Sequence, residues 1–535
     1  ILQHDVVGDI NDVVDGADAH GAQTLAHPLG RGSDLHIAHH TGGIAQAQGE
    51  GMQPINKRLQ PEVKKLIESM LNANPNLRPT ASQIRRKIEH YEQTGSWVKD
   101  ARRNKIVYSV VALISILVCA GIYLGDYNRT KIKYYKDYAE VWAIPQGIGR
   151  LSAEEASRRE ETYRFVYRQN RLLSVSLVNG YGKIIDHSDS EGVRSRFSRV
   201  EFFYTASGRV DYKTIYDKCG KILYNMDYDG ELNTVTFRLN DKYGTEMYLP
   251  SKTTDLSNSS SILDARSSIS RYLLQFDDNG FLKRINYVGH GNVPIGDADN
   301  VYGLQYTHDV KGRIVTESFL GIDNNVTCNK IGLAIKEFAY DDNDNCIKAS
   351  YYNADHKASH DGNGAAVYKF THDHYGNRVS QTHWTIDDEP TILKGSGMYG
   401  FRYTYDDHGC NIKTDCLDKD GNLMLCNLGY STTICEYDLN GFETKRYFLD
   451  NLGRNVLLQY DNSAYGMFVR VNNQYGQSIE YAYYDELGNK MDNAEGYHRN
   501  VYLYDSIGNN LSVKYFDSKD KPCKYRGFES ESRYK

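Results

Sequence analysis

The chain has 535 residues, which is too long for one hydrophobic core, so two or more domains are expected. Its 63 basic and 69 acidic side chains give a net charge of −6, which lacks the basic excess of a nucleic-acid-binding protein. The 44 tyrosines, against 16 phenylalanines and 10 prolines, indicate many half-buried β-strands, in which the ring packs and the hydroxyl group stays in water.

Residues 1–52 form an atypical segment that is rich in histidine and shows little periodicity. Read codon by codon on the opposite strand, residues 4–15 can encode a sequence that resembles part of the phenylalanyl-tRNA synthetase β chain. We therefore expect an antisense or mis-joined translation, and the alternative is a genuine disordered tail. In either case His36, His39 and His40 lack a second ligand group at the spacing of a zinc site, so no metal is assigned to them.

Residues 53–98 have the pattern of two helices. Apolar residues recur at helical spacing over residues 63–70, and Asn74-Pro75 ends this first helix. Thr80 or Ser82 can cap a second helix. An ordinary helical hairpin is one interpretation of this segment.

The string LIESMLNANPNLRPTASQI within this segment resembles the last two helices of a eukaryotic-type protein kinase C-lobe. The residues that match the family's closing motif are Leu71, Pro75, Arg78, Pro79, Thr80 and Ala81. The resemblance implies a truncated bacterial Ser/Thr kinase lobe, in which Arg78 supports the fold rather than the chemistry. The Gly-rich loop, the VAIK lysine, the HRD loop and the DFG motif do not occur upstream. Because phosphoryl transfer needs these groups to hold the phosphates and magnesium, we assign no catalytic or cofactor-binding residue and expect no kinase activity.

Ile106–Leu124 is a run without a charged residue, long enough to cross a bilayer of ~30 Å as a helix. A buried helix of a soluble domain is the alternative. Lysine and arginine flank the run on both sides, so charge does not set its orientation. The kinase-like segment before it favours a single-pass protein of the cell membrane with residues 53–98 in the cytoplasm. We assign residues 99–127 to the juxtamembrane and transmembrane helix.

Residues 128–160 are expected to be a linker and a short helix. Ser152 and Glu155 form a capping-box pattern, which predicts a polar helix that runs to about Arg164. From residue 161 to residue 535 the sequence is periodic, with Tyr-Asp-x-x-Gly followed by an alternating strand and by a second turn 12 residues later.

The predicted first turns lie at Asn170, Gly208, Gly244, Gly280, Gly312, Asp344, Gly376, Gly409, Gly441, Gly476 and Gly508. The predicted second turns lie at Gly182, Gly220, Asn292, Asn324, Asp388, Gly421, Gly453, Gly488 and Asp520. Gly, Asn and Asp share a tolerance of positive φ, which the turns of short hairpins require. About eleven hairpins would therefore stack into an elongated β-sheet or spiral, and the fold class is mainly β.

This array resembles the YD repeats of the RHS family and the similar tyrosine-rich repeats of bacterial receptor-like kinases. The resemblance implies a repeat architecture and names no ligand. If each hairpin touches only its neighbours, Gly409→Val should cost roughly 1–2 kcal/mol and Gly409→Asn should be nearly neutral, with the damage confined to adjacent hairpins.

Other candidate site residues are better explained as parts of turns. Asp341, Asp342 and Asp344 could suggest a calcium loop, but no glutamate occupies the twelfth position, so a solvated turn is expected. Four histidines also lie in or beside turns and are not expected to bind metal: His356, His372, His374 and His408.

The nine cysteines contain no CxxC pair, which argues against a zinc ribbon or a redox motif. Four of them crowd one repeat and its successor, namely Cys410, Cys416, Cys426 and Cys435. One disulfide among these four is expected if the array is extracytoplasmic, and free buried thiols are the alternative.

Two functions remain open. The first is the C-terminal part of a membrane-anchored receptor-like Ser/Thr kinase, whose repeats bind or sense an unknown extracytoplasmic ligand or protein. The second is a non-enzymatic envelope or surface interaction protein of the YD/RHS-repeat type. Both require the membrane as a partner, and neither requires a cofactor, a metal or a nucleic acid.

Overall fold

The computed structural model describes residues 60–95, 97, 101–186, 198–247, 269–297, 299–460, 463–524 and 531–533. The chain divides into two compact units, Ile1–Leu113 and Ile114–Lys535. The atypical segment 1–52, with His36, His39 and His40, lies outside the described residues.

The first unit contains the two predicted helices, α1 (Pro61–Met70) and α2 (Ala81–Thr94), with a 3₁₀ turn at Pro75–Leu77 between them. Of the two candidate caps, Thr80 is the one used: its hydroxyl accepts from the N–H of Gln83, and the Gln83 side chain accepts from the N–H of Thr80. This reciprocal capping box satisfies two N–H groups that a helix start otherwise leaves unbonded.

Helix α3 (Ala101–Asn128) contains the predicted apolar run and extends beyond both of its ends. Residues 106–126 are all exposed. Among the described residues, one helix is long and apolar enough to cross a membrane, and it is α3. Its length and composition agree with the predicted span, and its topology stays a prediction.

The second unit is a large antiparallel β-sheet of 25 strands with a separate two-stranded ladder, in the part of the chain that is described. The order is β2-β1-β3-β4, and the strands then follow the chain, with β20 pairing directly with β23 and β21 pairing with β22. The strands are β1 (Lys131–Val141), β2 (Ile144–Leu151), β3 (Thr162–Arg168), β4 (Arg171–Val178), β5 (Arg199–Tyr204), β6 (Val210–Tyr216), β7 (Ile222–Asp229), β8 (Thr234–Arg238), β9 (Arg271–Phe276), β10 (Leu282–Val288), β11 (Gly303–His308), β12 (Ile314–Leu320), β13 (Ile335–Tyr340), β14 (Cys346–Tyr352), β15 (Val367–His372), β16 (Arg378–Trp384), β17 (Gly400–Tyr405), β18 (Asn411–Leu417), β19 (Thr432–Tyr437), β20 (Glu443–Leu449), β21 (Leu458–Tyr460), β22 (Ser463–Tyr465), β23 (Met467–Asn472), β24 (Ser478–Tyr484), β25 (Arg499–Tyr504), β26 (Asn510–Phe516) and β27 (Glu531–Arg533).

Eleven hairpins, from β3–β4 to β25–β26, follow the β1–β2 pair among the described strands. The mainly β class and the tandem hairpin architecture are therefore confirmed. The array starts earlier than expected, because residues 131–151 form β1 and β2 rather than a linker. The helix predicted to reach Arg164 ends after four residues as α4 (Ala153–Ala156), since the residues from Thr162 onwards alternate and pair with β1.

The β17–β18 hairpin shows why Tyr, Asp and Gly recur. The Tyr405 hydroxyl donates to the carbonyl oxygen of Arg378 in the preceding hairpin at 2.9 Å. The Asp406 carboxylate accepts from the N–H groups of His408 and Cys410 at 2.8 and 2.9 Å, and Gly409 takes φ +75°. Tyrosine thus joins one hairpin to the next, aspartate closes the turn and glycine supplies the left-handed residue.

Positive φ is confirmed at every predicted turn position of both sets. Two details differ from the prediction. Gly244 follows β8 and closes a second turn, and the first turn of that hairpin lies between β7 and β8. His356, at φ +59°, occupies a second turn that was not predicted, although it lies 12 residues after Asp344 and the repeat spacing points to it.

A third turn closes the loop between consecutive hairpins. Asn329 shows its geometry: its side-chain oxygen accepts from the N–H groups of Ile331 and Leu333 at 3.1 and 3.0 Å. Its own N–H donates to the Leu333 carbonyl at 2.8 Å. The residues that occupy this position in other repeats include Asp297, Cys426 and Asn493.

The sheet coils back on itself, so that the second lap (β9–β27) touches the first lap (β1–β8). Edge residues of the first lap bond to first turns of the second lap across sequence separations that grow steadily from 207 to 288 residues. These contacts, named here the seam, are Lys136–Asn343, Arg158–Asn377, Asn179–Asn440 and Lys221–Asn509. The steady increase indicates a spiral, as expected when right-handed twist accumulates over many strands.

The core is made by one face of the coiled sheet, where aromatic rings pack among aliphatic side chains. Phe237 and Tyr272 are fully enclosed and meet edge to face, with centroids 4.9 Å apart. Two charged groups share this core, because Lys336 and Glu317, at 1% and 0% exposure, pair at 2.9 Å. Such a pair persists in an apolar core only when both partners are present.

Candidate functional site

The junction of α3 with the array has no flexible connector. The Gln169 N–H at the tip of the β3–β4 hairpin donates to the Tyr127 carbonyl at 3.1 Å, and the Gln169 side chain donates to Asn128 at 2.8 Å. Lys131, the first residue of β1, pairs with Asp126 at 2.6 Å. The last turn of the apolar helix is therefore capped by the array itself, which fixes the C-terminal end of α3 to the first hairpin.

Basic side chains surround this junction. Arg129, Arg168 and Arg171 are exposed, and Lys133 lies over the Tyr167 ring with its ammonium 5.3 Å from the ring centre. These four cations adjoin the end of an apolar helix, which is where anionic lipid headgroups would lie if α3 spans a bilayer. We call these residues the basic collar.

The second-turn edge of the second lap carries exposed aliphatic side chains. The exposed aliphatic side chains on or beside these turns are Val293, Ile322, Ile392, Leu425, Leu452 and Leu487, with exposures between 46% and 80%. First turns of the same lap lie at the seam, whereas no described strand covers the second-turn edge of this lap. Several exposed aliphatic residues on one uncovered edge make this edge the candidate binding surface.

Two of the three acidic residues of the suspected calcium loop, Asp341 and Asp344, have protein partners instead. Asp341 accepts from the N–H groups of Asn343 and Asn345 and closes a first turn. Burial raises its pKa, but these hydrogen bonds outweigh burial and the pKa is lowered overall. Asp344 pairs with Lys311 at 2.6 Å and with Arg313 at 3.0 Å. The arrangement is that of a turn.

The four histidines are not brought together. His356 bonds to Glu337 at 3.0 Å, His374 contacts Tyr375, and His408 stacks on Tyr181. Burial lowers the pKa of His372 to about 4. Within the described ranges, no three His, Cys, Asp or Glu side chains converge as a metal site requires.

Of the four crowded cysteines, Cys416 and Cys426 share one buried cluster with Met398, and the Cys426 thiol raises the pKa of the Cys416 thiol. Burial raises the pKa of Cys410 to about 12 and also raises the pKa of Cys435, and neither belongs to this cluster. All nine cysteines are free thiols.

Sequence reasoning missed the buried cations of the core, which are Lys336 and Lys213. Lys213 on β6 is 2% exposed, and burial lowers its pKa to about 8, with Glu140 acting in the opposite direction. The sequence of β6 does not indicate that this lysine is buried, because a lysine in an alternating strand ordinarily lies on the solvent-exposed face.

Helices α1 and α2 have little core of their own in the part of the chain that is described. Leu66 is the buried side chain of α1, while Met70, Leu71, Leu77 and Ile88 are 40–65% exposed. Arg78, expected to have a structural role, is exposed and donates to the Asn72 carbonyl at 2.7 Å.

No protein-family model matches the chain, and no curated protein matches it either. Similar solved structures include the crystal structure of TcdB2-TccC3-Cdc42, at 13% identity and a TM-score of 0.25. The match covers 67% of this chain and 18% of that chain. They also include the Photorhabdus luminescens Tc holotoxin pore, at 11% identity, a TM-score of 0.25 and coverages of 19% and 70%. TcdB2-TccC3 gives 10% identity, a TM-score of 0.24 and coverages of 24% and 69%. The chain thus spans less than a quarter of each of these chains, and at such TM-scores the likeness carries no argument.

Proposed function

We propose that this chain is a membrane-anchored, non-enzymatic interaction protein of the cell envelope or surface, in which the coiled YD-like array binds another molecule. The main observation behind this proposal is that the repeated Tyr and Asp residues have structural roles. Tyr405 and its counterparts join hairpins, and Asp406 and its counterparts close turns. The repeats therefore build a scaffold, and the exposed aliphatic second-turn edge is the surface available for binding.

The anchor in this proposal is α3, with residues 53–98 in the cytoplasm and the array outside. Its exposed apolar surface is costly in water and favourable in lipid. The basic collar would then lie at headgroup depth. Because Gln169 caps the helix directly, the array would be held at a fixed distance from the bilayer.

A photo-crosslinking experiment on intact cells tests the binding surface. A benzophenone amino acid is placed at Leu487 on the second-turn edge, which is 80% exposed. The matched control is Leu439, an equally apolar residue at a first-turn tip that is 92% exposed. We expect a discrete adduct at Leu487 and at Ile322, and none at Leu439. Adducts at all three positions alike, or at none of them, would refute the binding edge.

A second candidate function is the C-terminal end of a receptor-like Ser/Thr kinase. The observation that favours it is the exposure of Met70, Leu71 and Leu77, because a helical pair with so small a core is typical of a piece of a larger domain. Kinase motifs encoded upstream of Met52 would favour this candidate, and their absence would favour the interaction protein. The present 535 residues should not transfer phosphate from ATP to a basic peptide, and such transfer would contradict our assignment.

A further inference from the structure

Cys426 occupies a position that other repeats give to Asp or Asn. Its N–H donates to the Tyr430 carbonyl at 2.8 Å and the Gly429 N–H donates to its carbonyl at 2.9 Å. Asn493 makes the same two bonds with Tyr497 and Gly496, both at 2.9 Å. The Cys426 sulfur therefore lies where a side-chain oxygen normally accepts backbone N–H groups.

This position favours the charged form of a thiol. The Cys416 thiol and the N–H groups of Tyr430, Leu428 and Gly429 lie around the Cys426 sulfur. The Cys416 thiol has the largest effect, and together these donors outweigh burial and lower the pKa of Cys426 to about 6. Hydrogen bonds to an anion stabilise it, and a thiolate is the nucleophilic form of cysteine.

Cys416, the other thiol of the cluster, is more deeply buried than Cys426. It is 0% exposed on β18, and its N–H donates to the Ser431 carbonyl at 2.7 Å, one residue beyond the carbonyl that Cys426 uses. The Cys426 thiol, burial and the nearby Asp415 all raise the pKa of the Cys416 thiol. Tyr430, which packs against the pair, is the other titratable group facing it, and burial raises its pKa. Cys426 is thus the thiol of the pair whose charged form its surroundings favour, and Cys416 is the thiol whose protonated form they favour.

We propose that Cys426 and Cys416 form a reversible dithiol–disulfide pair, with Cys426 as the attacking thiolate, Cys416 as the resolving thiol and a low-molecular-weight disulfide as the oxidant. Cys426 attacks one sulfur of the external disulfide, a mixed disulfide forms, and one external thiolate leaves. That thiolate takes the proton of Cys416, whose sulfur then attacks the Cys426 sulfur and expels the second external group as a thiolate, which takes a proton from water. Two protein thiols are oxidised and one external disulfide is reduced to two thiols.

The test treats the full chain in detergent with oxidised glutathione, blocks the remaining thiols and maps the peptides by mass spectrometry. Cys426→Asn is the informative variant, because Asn493 and Asn329 show that asparagine fits this turn. Cys416→Ser should accumulate glutathione on Cys426, and Cys219→Ser, which removes a buried thiol elsewhere, should change nothing.

We expect a Cys416–Cys426 peptide in the wild-type chain, formed faster as pH rises through about 6, and no glutathione on Cys416 in Cys426→Asn. Circular dichroism confirms that the variants are folded. A folded wild-type chain that leaves Cys426 unmodified while exposed thiols react would overturn the proposal. Equal modification of Cys416 in Cys426→Asn would do the same.

Discussion

Replacing Gly409 should damage the array more than replacing Gly421, although both residues have left-handed backbones, at φ +75° and +81°. A Cβ atom at Gly409 would lie 2.2 Å from the carbonyl carbon of Arg159 and 2.5 Å from the nitrogen of Glu160, both in the first lap. A Cβ atom at Gly421 would meet nothing within 4 Å. A substitution at Gly421 therefore measures the free-energy cost of a side chain in the left-handed turn alone. A substitution at Gly409 measures this cost together with that of the clash across the seam.

The magnitudes follow from these distances. Alanine in a left-handed conformation costs roughly 1–2 kcal/mol at either position. Overpacking typically adds about 1–3 kcal/mol, and at Gly409 the obstacle is backbone, which cannot rotate away. We expect Gly409→Ala to lose about 2–5 kcal/mol and Gly421→Ala about 1–2 kcal/mol. Asparagine should be nearly neutral at Gly421 but costly at Gly409, where the expectation of a neutral change was wrong because it omitted the seam.

Thermal unfolding and hydrogen exchange of the full chain measure both effects. Gly409→Ala should reduce protection at residues 158–161, about 250 residues away in sequence but adjacent across the seam. The matched variant Gly421→Ala should loosen only its own hairpin and the neighbouring hairpins. Equal destabilisation by the two alanines, or unchanged protection at residues 158–161, would refute the contact between Gly409 and the first lap.

Three further predictions concern the joints, the core and the anchor. Tyr405→Phe should cost about 1 kcal/mol, because the Arg378 carbonyl loses its donor, whereas the exposed Tyr243→Phe should cost nothing measurable in the same denaturation assay. Burial lowers the folded-state pKa of His383 from 6.5 to about 4, so stability should fall as pH drops from about 6.5 towards 4, and His383→Gln should reduce this fall in melting scans. External protease on sealed spheroplasts should digest the array and spare residues 53–98, and the reverse pattern would exclude the proposed topology.

The local elements of this protein are readable from its sequence because each depends on a few neighbouring residues. The Thr80 capping box, the Ser152 cap and the positive-φ turns are each set by side chains within four positions of one another. The missed turn at His356 follows the same rule, since the 12-residue spacing identifies it. The polar helix expected after Ser152 is shorter than predicted and ends at Ala156, because the residues from Thr162 onwards pair with β1 instead.

The sequence by itself thus determined the helices, the hairpins and the periodic turns. Only the tertiary structure decided that the array coils, that Gly409 meets Arg159, that Gln169 caps α3 and that Cys416 meets Cys426. The physical reason is that these contacts depend on twist summed over many strands and on the path of each loop. The residues of one repeat do not reveal the total twist of the sheet. The sequence therefore does not indicate which residues more than 200 positions apart become neighbours.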